Sequence, residues 1–443
     1  MEDFGRSWSF KEGIILVTMQ EEAGTMEEVA EADWRTRYCA LTAGLSAASG
    51  DPDIFHTGLF LCGMSACVDA LINMHDMQPL LDAARNTPAG DLAAMLLKRV
   101  SRGIDGEVRL DWPQGPAWLR DNLKVRYALG GTGPQAAWVL SKLGARALIA
   151  LEDRYPHMLR HIPAGVLLAQ DGKAVNVANI RPSGDHVPEI FIFEFTAGRP
   201  IGDLVPGRSS RIIVRFCDRG VQNDRNFWEM SKSTASSAAA GLLSGLNDEP
   251  LDRMEAASRQ VFDLGRAWKA AGLKTIHFEL ACYDPKAPLE AVFSNARGAI
   301  TSLGMNHSEL LAMDPSAGNP MEAMIALAER LDLDRICIHA DTWAASVTLD
   351  DPARELRALM AGCAVAAARA ANGAPVDTVT IDPNVQFLDV PFTAYSRRGK
   401  WSFVACSAPY LDKPATTLGL GDSFTAGCLL ILGKKSGAME AAI

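Results

Sequence analysis

The segment Thr416-Thr417-Leu418-Gly419-Leu420-Gly421-Asp422-Ser423-Phe424-Thr425-Ala426-Gly427 combines two glycines, a carboxylate and an apolar, helix-like run that continues to Leu432. A glycine turn feeding a helix N-terminus aims backbone N–H groups and the positive end of the helix dipole at an anion. A carboxylate at the same place can accept the proton of an attacking hydroxyl. Together these residues suit transfer of a phosphoryl group to an alcohol. They also suit an ordinary helix cap, in which Gly-x-Gly ends a loop and Asp satisfies a first-turn N–H.

Other polar residues follow short apolar runs. Asp69 lies just beyond Gly58–Met64 and could accept hydrogen bonds from sugar hydroxyls, or cap a turn. Gly130-Gly131-Thr132-Gly133-Pro134 precedes an Ala-rich stretch. The glycine pair permits close backbone approach to a ligand, and Pro134 suits a first helical turn; a turn without a ligand fits equally well. In His277-Phe278-Glu279 the His and Glu share one face of a strand, where burial demands partners or a metal. No zinc ligand set accompanies them, so a magnesium–water network or a buried His–Glu pair remains. In Asn306-His307-Ser308-Glu309 a helical spacing would put Asn306 and Glu309 on one face. They could hold waters of a phosphate-bound Mg²⁺, or form a capping box. His339 and Asp341, after Arg335–Ala340, are candidates for a nucleotide side or for the core.

Positioning such residues requires a scaffold of buried strands. Strand candidates are Gly58–Met64, Ala147–Leu151, Gly241–Leu243, Thr275–Leu280, Arg335–Ala340, Val376–Ile381 and Trp401–Ala405. Helical stretches are expected around Met26–Ala48 and over Pro134–Leu143, Asp252–Ala271, Pro320–Leu331 and Ala353–Ala371. This alternation predicts an α/β fold, a three-layer αβα core with a mainly parallel sheet. Ligands of such sheets bind at the carboxyl ends of the strands. Ile190–Phe195 and Arg211–Phe216 are strand-like without an intervening helix, which predicts an antiparallel, β-rich lid. The expected divisions are 1–75 (N-terminal helices and first core strand), 76–126 (lid), 127–172 (core), 173–235 (β-rich lid) and 236–443 (core with the catalytic loop).

The chain has 443 residues, 48% hydrophobic and 22% charged, with net charge −10 and scattered basic residues. That pattern argues against nucleic-acid binding, which needs a basic face. Nine cysteines without a Cys-x-x-Cys pair predict buried free thiols in a reducing compartment. With no signal peptide and no membrane-length apolar run, the expectation is a cytoplasmic monomer or small homo-oligomer without a membrane partner.

In chain order, Gly419-Leu420-Gly421-Asp422, His277-Phe278-Glu279 and Asn306-His307-Ser308-Glu309 resemble the Gly-x-Gly-Asp, His-x-Glu and Asn-x-x-Glu motifs of the ADP-dependent sugar kinases. These comprise glucokinase and phosphofructokinase, within the ribokinase-like superfamily. The flanks Ile192–Phe195, Leu243–Asn247 and Ser302–Asn306 agree, so the resemblance covers about residues 58–432. It implies Asp422 as catalytic base, Gly419 to Gly421 as anion hole, and Glu279, Glu309 and Asn306 in an Mg²⁺–phosphate network. It implies ADP as donor, with Leu420 and His339 on the nucleotide side. Asp69, Glu194, Gly130 and Gly131 would face a sugar or sugar phosphate. Ser65 and Cys67 stand where the family carries Asn, Thr132 where it carries Gln or Asn, and Ile190 where glucose-specific members carry His. These departures bear on which hexose is bound. Arg199, Arg208 and Arg211 could meet a sugar phosphate or serve only surface solvation.

Overall fold

Short runs of apolar residues form two sheets between which the chain passes four times. The computed structural model describes residues 34–49, 58–185, 189–217, 220–281, 288–313 and 320–433. In chain order its strands are β1 (Phe60–Cys62), β2 (Cys67–Asn73), β3 (Gly106–Arg109), β4 (Arg126–Gly130), β5 (Ala147–Ile149), β6 (Leu167–Gln170), β7 (Lys173–Asn176) and β8 (Ile190–Phe195). They continue with β9 (Ser210–Arg215), β10 (Ala240–Leu243), β11 (Ile276–Glu279), β12 (Ser302–Asn306), β13 (Arg335–His339), β14 (Trp343–Thr348), β15 (Tyr395–Arg398) and β16 (Trp401–Ser407).

The large sheet has the order β15-β16-β14-β13-β12-β11-β10-β1-β5-β6-β7. From β6 through β13 every neighbouring pair is parallel. Antiparallel strands close both edges. The central strands are buried along their length, as a sheet covered on both faces requires. On one face pack the helices Thr132–Lys142, Pro352–Asn372 and Leu420–Leu432, through side chains such as Leu140, Leu359 and Phe424. The other face is covered by Met254–Ala270, Pro288–Ala296 and Pro320–Leu331, through Phe262, Phe293 and Ile325.

The small sheet has the order β3-β9-β8-β2-β4. Period-two alternation divides its side chains. Ile72, Phe191, Phe193, Ile212 and Val214 point into a cluster with Leu92, Leu96 and Leu119 of helices Pro88–Ser101 and Gly115–Asn122. Cys67, Leu71, Ile190 and Ile192 form the opposite face, with Ile213 and Leu418 packed against it. That face therefore also presents Asp69, Glu194, Arg211, Arg215 and Glu107 towards the large sheet.

Several expectations are corrected. β2 and β4, placed by sequence in core segments 1–75 and 127–172, belong to the small sheet, because β2 pairs with β4 and β8. β7, placed in the lid segment, pairs with β6 at the edge of the large sheet. Val376–Ile381 forms no strand. Both ladders of β16 are occupied by β14 and β15, and the segment packs Val379 into the core without a partner. Asn306 ends a strand rather than lying within a helix. Within Met26–Ala48, residues 26–33 lie outside the described residues, and a helix covers Trp34–Ser49.

Candidate active site

The candidate residues converge at the carboxyl ends of β1, β11, β12 and β13 and under the inner face of the small sheet. Gly419 adopts φ +68 and caps the helix Leu420–Leu432. The turn is available to glycine for two reasons: the positive φ, and the Arg369 guanidinium, which would lie 2.5 Å from an added Cβ. Ser423 closes the turn by donating through Oγ to Gly419 O at 2.7 Å. The first helical turn leaves the N–H groups of Leu420 to Asp422 without intrahelical acceptors.

Asp422 lies in that turn. Burial pushes its carboxyl above the usual range and Glu279 adds to the rise. Arg369, Thr132 and Arg211 oppose it. Thr132 opens the helix that follows the Gly130-Gly131 turn. Thr132 N in turn donates to Ser65 Oγ at 3.1 Å, linking the turn to the end of β1.

Asp69 sits on β2, buried at 5% exposure, rather than in the loop expected for it. Its carboxylate accepts from Cys67 Sγ at 3.4 Å and lies against Gly130, where any Cβ would collide with it. Glu194 does not point into open cleft. Its Oε1 accepts from Thr416 Oγ1 at 3.1 Å and from Thr417 N and Oγ1 at 3.3 Å. The small sheet is thereby tied to the approach of the glycine loop.

Glu279 and His277 share a face of β11 as the spacing predicts. Glu279 Oε2 lies 2.9 Å from His277 Nε2 and accepts from Thr425 Oγ1 at 2.9 Å. Its Oε1 is 3.6 Å from His339 Nε2. Burial raises the Glu279 pKa, but the hydrogen bond with His277 and the influence of both His277 and His339 outweigh that and hold it at about 2. Asn306 and Glu309 form a reciprocal capping box. Glu309 N donates to Asn306 Oδ1 and Asn306 N donates to Glu309 Oε2, both at 2.8 Å. The Asn306 side-chain oxygen is thus committed to the cap. Burial drives the Glu309 carboxyl up to about 8; the Asn306 backbone bond opposes this, and the charges of Glu279 and Glu107 add to it.

Other candidates fall outside this convergence. Asp341 is exposed, and Leu420 is half-buried with an apolar side chain, so that only its backbone N–H bears on the site. Arg199 and Arg208 are tied to surface carboxylates, Asp76 at 3.5 Å and Asp105 at 2.8 Å. Arg211 alone of the three turns inward, with a buried Nε and an electrostatic influence on Asp422. Thr416, Thr417, Thr425 and Arg369 were not singled out by sequence. Arg369 left one signal, a lone charge in the run Ala364–Ala371.

A three-layer αβα core, a β-rich lid sheet over its strand ends and a glycine loop opening a helix define a ribokinase-like fold. The conserved region of ADP-specific phosphofructokinase/glucokinase matches residues 60–431, and the chain belongs to that family. Among solved structures it is similar to an ADP-dependent kinase in complex with fructose-6-phosphate and ADPβS, with 18% identity and TM-score 0.73 over 92% of this chain and 99% of that one. It is also similar to the last common ancestor of ADP-dependent phosphofructokinases from Methanosarcinales, at 18% identity, TM-score 0.66, 91% and 99% coverage. A hypothetical ADP-dependent phosphofructokinase from Pyrococcus horikoshii OT3 gives 18% identity, TM-score 0.65, 85% and 98%. At these identities the likeness is one of fold. No curated protein sequence matches the chain. Among the described residues, no helix is long and apolar enough to cross a membrane.

Proposed function

We propose that the protein transfers the β-phosphoryl group of ADP to a hydroxyl of a hexose or hexose phosphate, releasing AMP. The observation that carries this reading is Asp422 in the first turn behind Gly419, with Thr132 of the Gly-Gly turn near enough to lower its pKa. One carboxylate thus stands beside both a ready anion site and the turn proposed to face the sugar. Asp422 accepts the hydroxyl proton as the oxygen attacks phosphorus, and its raised pKa makes it a stronger base than an ordinary Asp. The unpaired N–H groups of Leu420 to Asp422 receive the negative charge that develops on the transferring group. Asp69, held against Gly130, orients the sugar, and the small sheet excludes water that would compete as acceptor.

The donor set fits Mg²⁺ held mainly through water and nucleotide oxygens. Among the described residues no three metal-ligating side chains are gathered into a cage. Glu279 keeps Oε1 apart from its two close bonds on Oε2, and Glu309 carries a carboxyl that a nearby cation would ionise. These two residues would hold the ion's waters, with Asn306 orienting Glu309. When bound, the ion would neutralise charge on the phosphoryl oxygens.

The test is a panel of hexoses and hexose phosphates, each offered ADP or ATP with Mg²⁺ and again with EDTA. AMP and a sugar phosphate should appear in equal amounts with ADP and Mg²⁺. Turnover with ATP alone would replace the donor assignment, and no turnover with any pair would end the kinase reading.

A further inference from the structure

We propose that Arg369, which lies outside every motif above, is a positioning residue that places an uncompensated buried cation behind the glycine loop for an incoming phosphate to neutralise. This deepens the phosphotransferase reading and rests on it.

Among the described residues four arginines are buried: Arg154, Arg215, Arg335 and Arg369. Buried guanidinium groups ordinarily pair with carboxylates, because an unpaired charge is expensive to desolvate. Three of the four obey. Arg154 meets Asp224 at 3.1 Å, Arg215 meets Glu107 at 2.7 Å and Asp248 at 2.6 Å, and Arg335 meets Glu355 at 2.8 Å. Among the described residues Arg369 has no carboxylate within ion-pair distance. Its Nη1 donates to Ser423 Oγ at 3.2 Å and its Nη2 to Gln135 Oε1 at 2.8 Å, both neutral acceptors. Its guanidinium carbon lies 5.7 Å from the Trp138 ring centre, and its buried Nε has no acceptor.

The surroundings show which anion is missing. The guanidinium packs directly on Gly419, and its bond to Ser423 continues from Ser423 Oγ to Gly419 O. The bond to Gln135 reaches the helix that starts at the Gly-Gly turn, so one side chain braces both the phosphate loop and the sugar-side turn. Burial lowers its pKa to about 10. Asp422, Asp69 and Glu194 partly offset this from beyond contact, and Arg211 deepens it. Arg369 therefore stays charged at neutral pH in a site whose own carboxylates do not close on it. A bound diphosphate supplies the compensating charge.

The test compares Arg369→Gln and Arg369→Lys with the unaltered full chain. The readouts are melting temperature without ligand and the rise produced by ADP with Mg²⁺ or by inorganic pyrophosphate with Mg²⁺. R369Q removes a buried charge that lacks a partner, so its ligand-free melting temperature should equal or exceed the parent's. Its affinity for both probes should fall by about ten- to a hundredfold, the scale of one poorly screened unit charge. R369K should recover part of that loss. A merely structural arginine predicts the reverse, a lower melting temperature with ligand affinity retained. That result, unfolding of both variants, or no response of the parent to either probe would overturn the proposal. A parent that responds to pyrophosphate, loses the response in R369Q and phosphorylates no sugar would sink the kinase reading while upholding Arg369.

Discussion

Thr425 donates its hydroxyl hydrogen to Glu279 Oε2 over 2.9 Å, joining the helix that carries Asp422 to the strand end that carries the proposed metal-side carboxylate. With His277 on the same oxygen, two bonds fix the carboxylate plane and leave Oε1 as the outward atom. Thr425→Val keeps the shape and removes one donor. The magnesium concentration for half-maximal activity should rise about threefold to tenfold, the net worth of one intramolecular hydrogen bond. The KM for the sugar should stay within twofold. A magnesium titration at fixed ADP checks this, and an unchanged midpoint would detach Thr425 from the metal side.

Asp422 bears on pH dependence. Its carboxyl is raised by burial first, then by Glu279, against the lowering influence of Arg369, Thr132 and Arg211. A general base must be ionised, so kcat/KM should fall as pH drops through the raised pKa. That acid limb should lie above the ordinary Asp value of about 3.9. Asp422→Asn keeps the volume without the basicity, and turnover should drop by about a thousandfold or more. ADP binding should remain within a few-fold of the parent. Near-normal turnover by D422N would remove Asp422 from the role of base.

Glu309 makes a stability prediction through its bonds to Asn306. The folded carboxyl titrates at about 8 because burial disfavours its charge. The unfolded value is about 4.3, so between these the native state holds a proton that the unfolded state has released. The contribution is fully present below the unfolded pKa and is lost as pH rises towards 8. Without nucleotide or metal, the melting temperature should therefore decline from pH 5 to pH 8. Glu309→Gln keeps an acceptor for the Asn306 N–H and should flatten the decline, as should ADP with Mg²⁺. A decline of equal size in E309Q would place its origin elsewhere.

Legibility followed the range of the interactions. β11 was readable because Ile276 and Phe278 alternate with a His and a Glu that share the opposite face. β14 was not, since Trp343-Ala344-Ala345-Ser346 has weak strand character and is held by neighbours β13 and β16. Val376–Ile381 has strand composition but no free ladder to join. The capping box at Asn306 and Glu309 was visible as one of two readings because its partners are three residues apart. Arg369 stood out only as a lone charge, since Gln135 lies 234 positions away. The bonds of Glu194 to Thr416 and Thr417 were not readable, since they span more than 220 positions.

Arg215 on β9 joins the two sheets. It bonds Glu107 on β3 at 2.7 Å and meets Asp248, just beyond β10 of the large sheet, at 2.6 Å. Asn247 Nδ2 also donates to Glu107 Oε1 at 3.1 Å. All three charged side chains are largely withdrawn from water. Replacing a whole buried network by apolar groups can be neutral, but removing one partner leaves the others desolvated and unpaired. Arg215→Met leaves two carboxylates facing each other and should cost about 3–5 kcal/mol. A triple variant with Glu107→Gln and Asp248→Asn added should regain much of that loss, because no buried charge then lacks a partner. Urea unfolding of the three forms measures this, and equal midpoints for R215M and the parent would show that the junction adds nothing to stability.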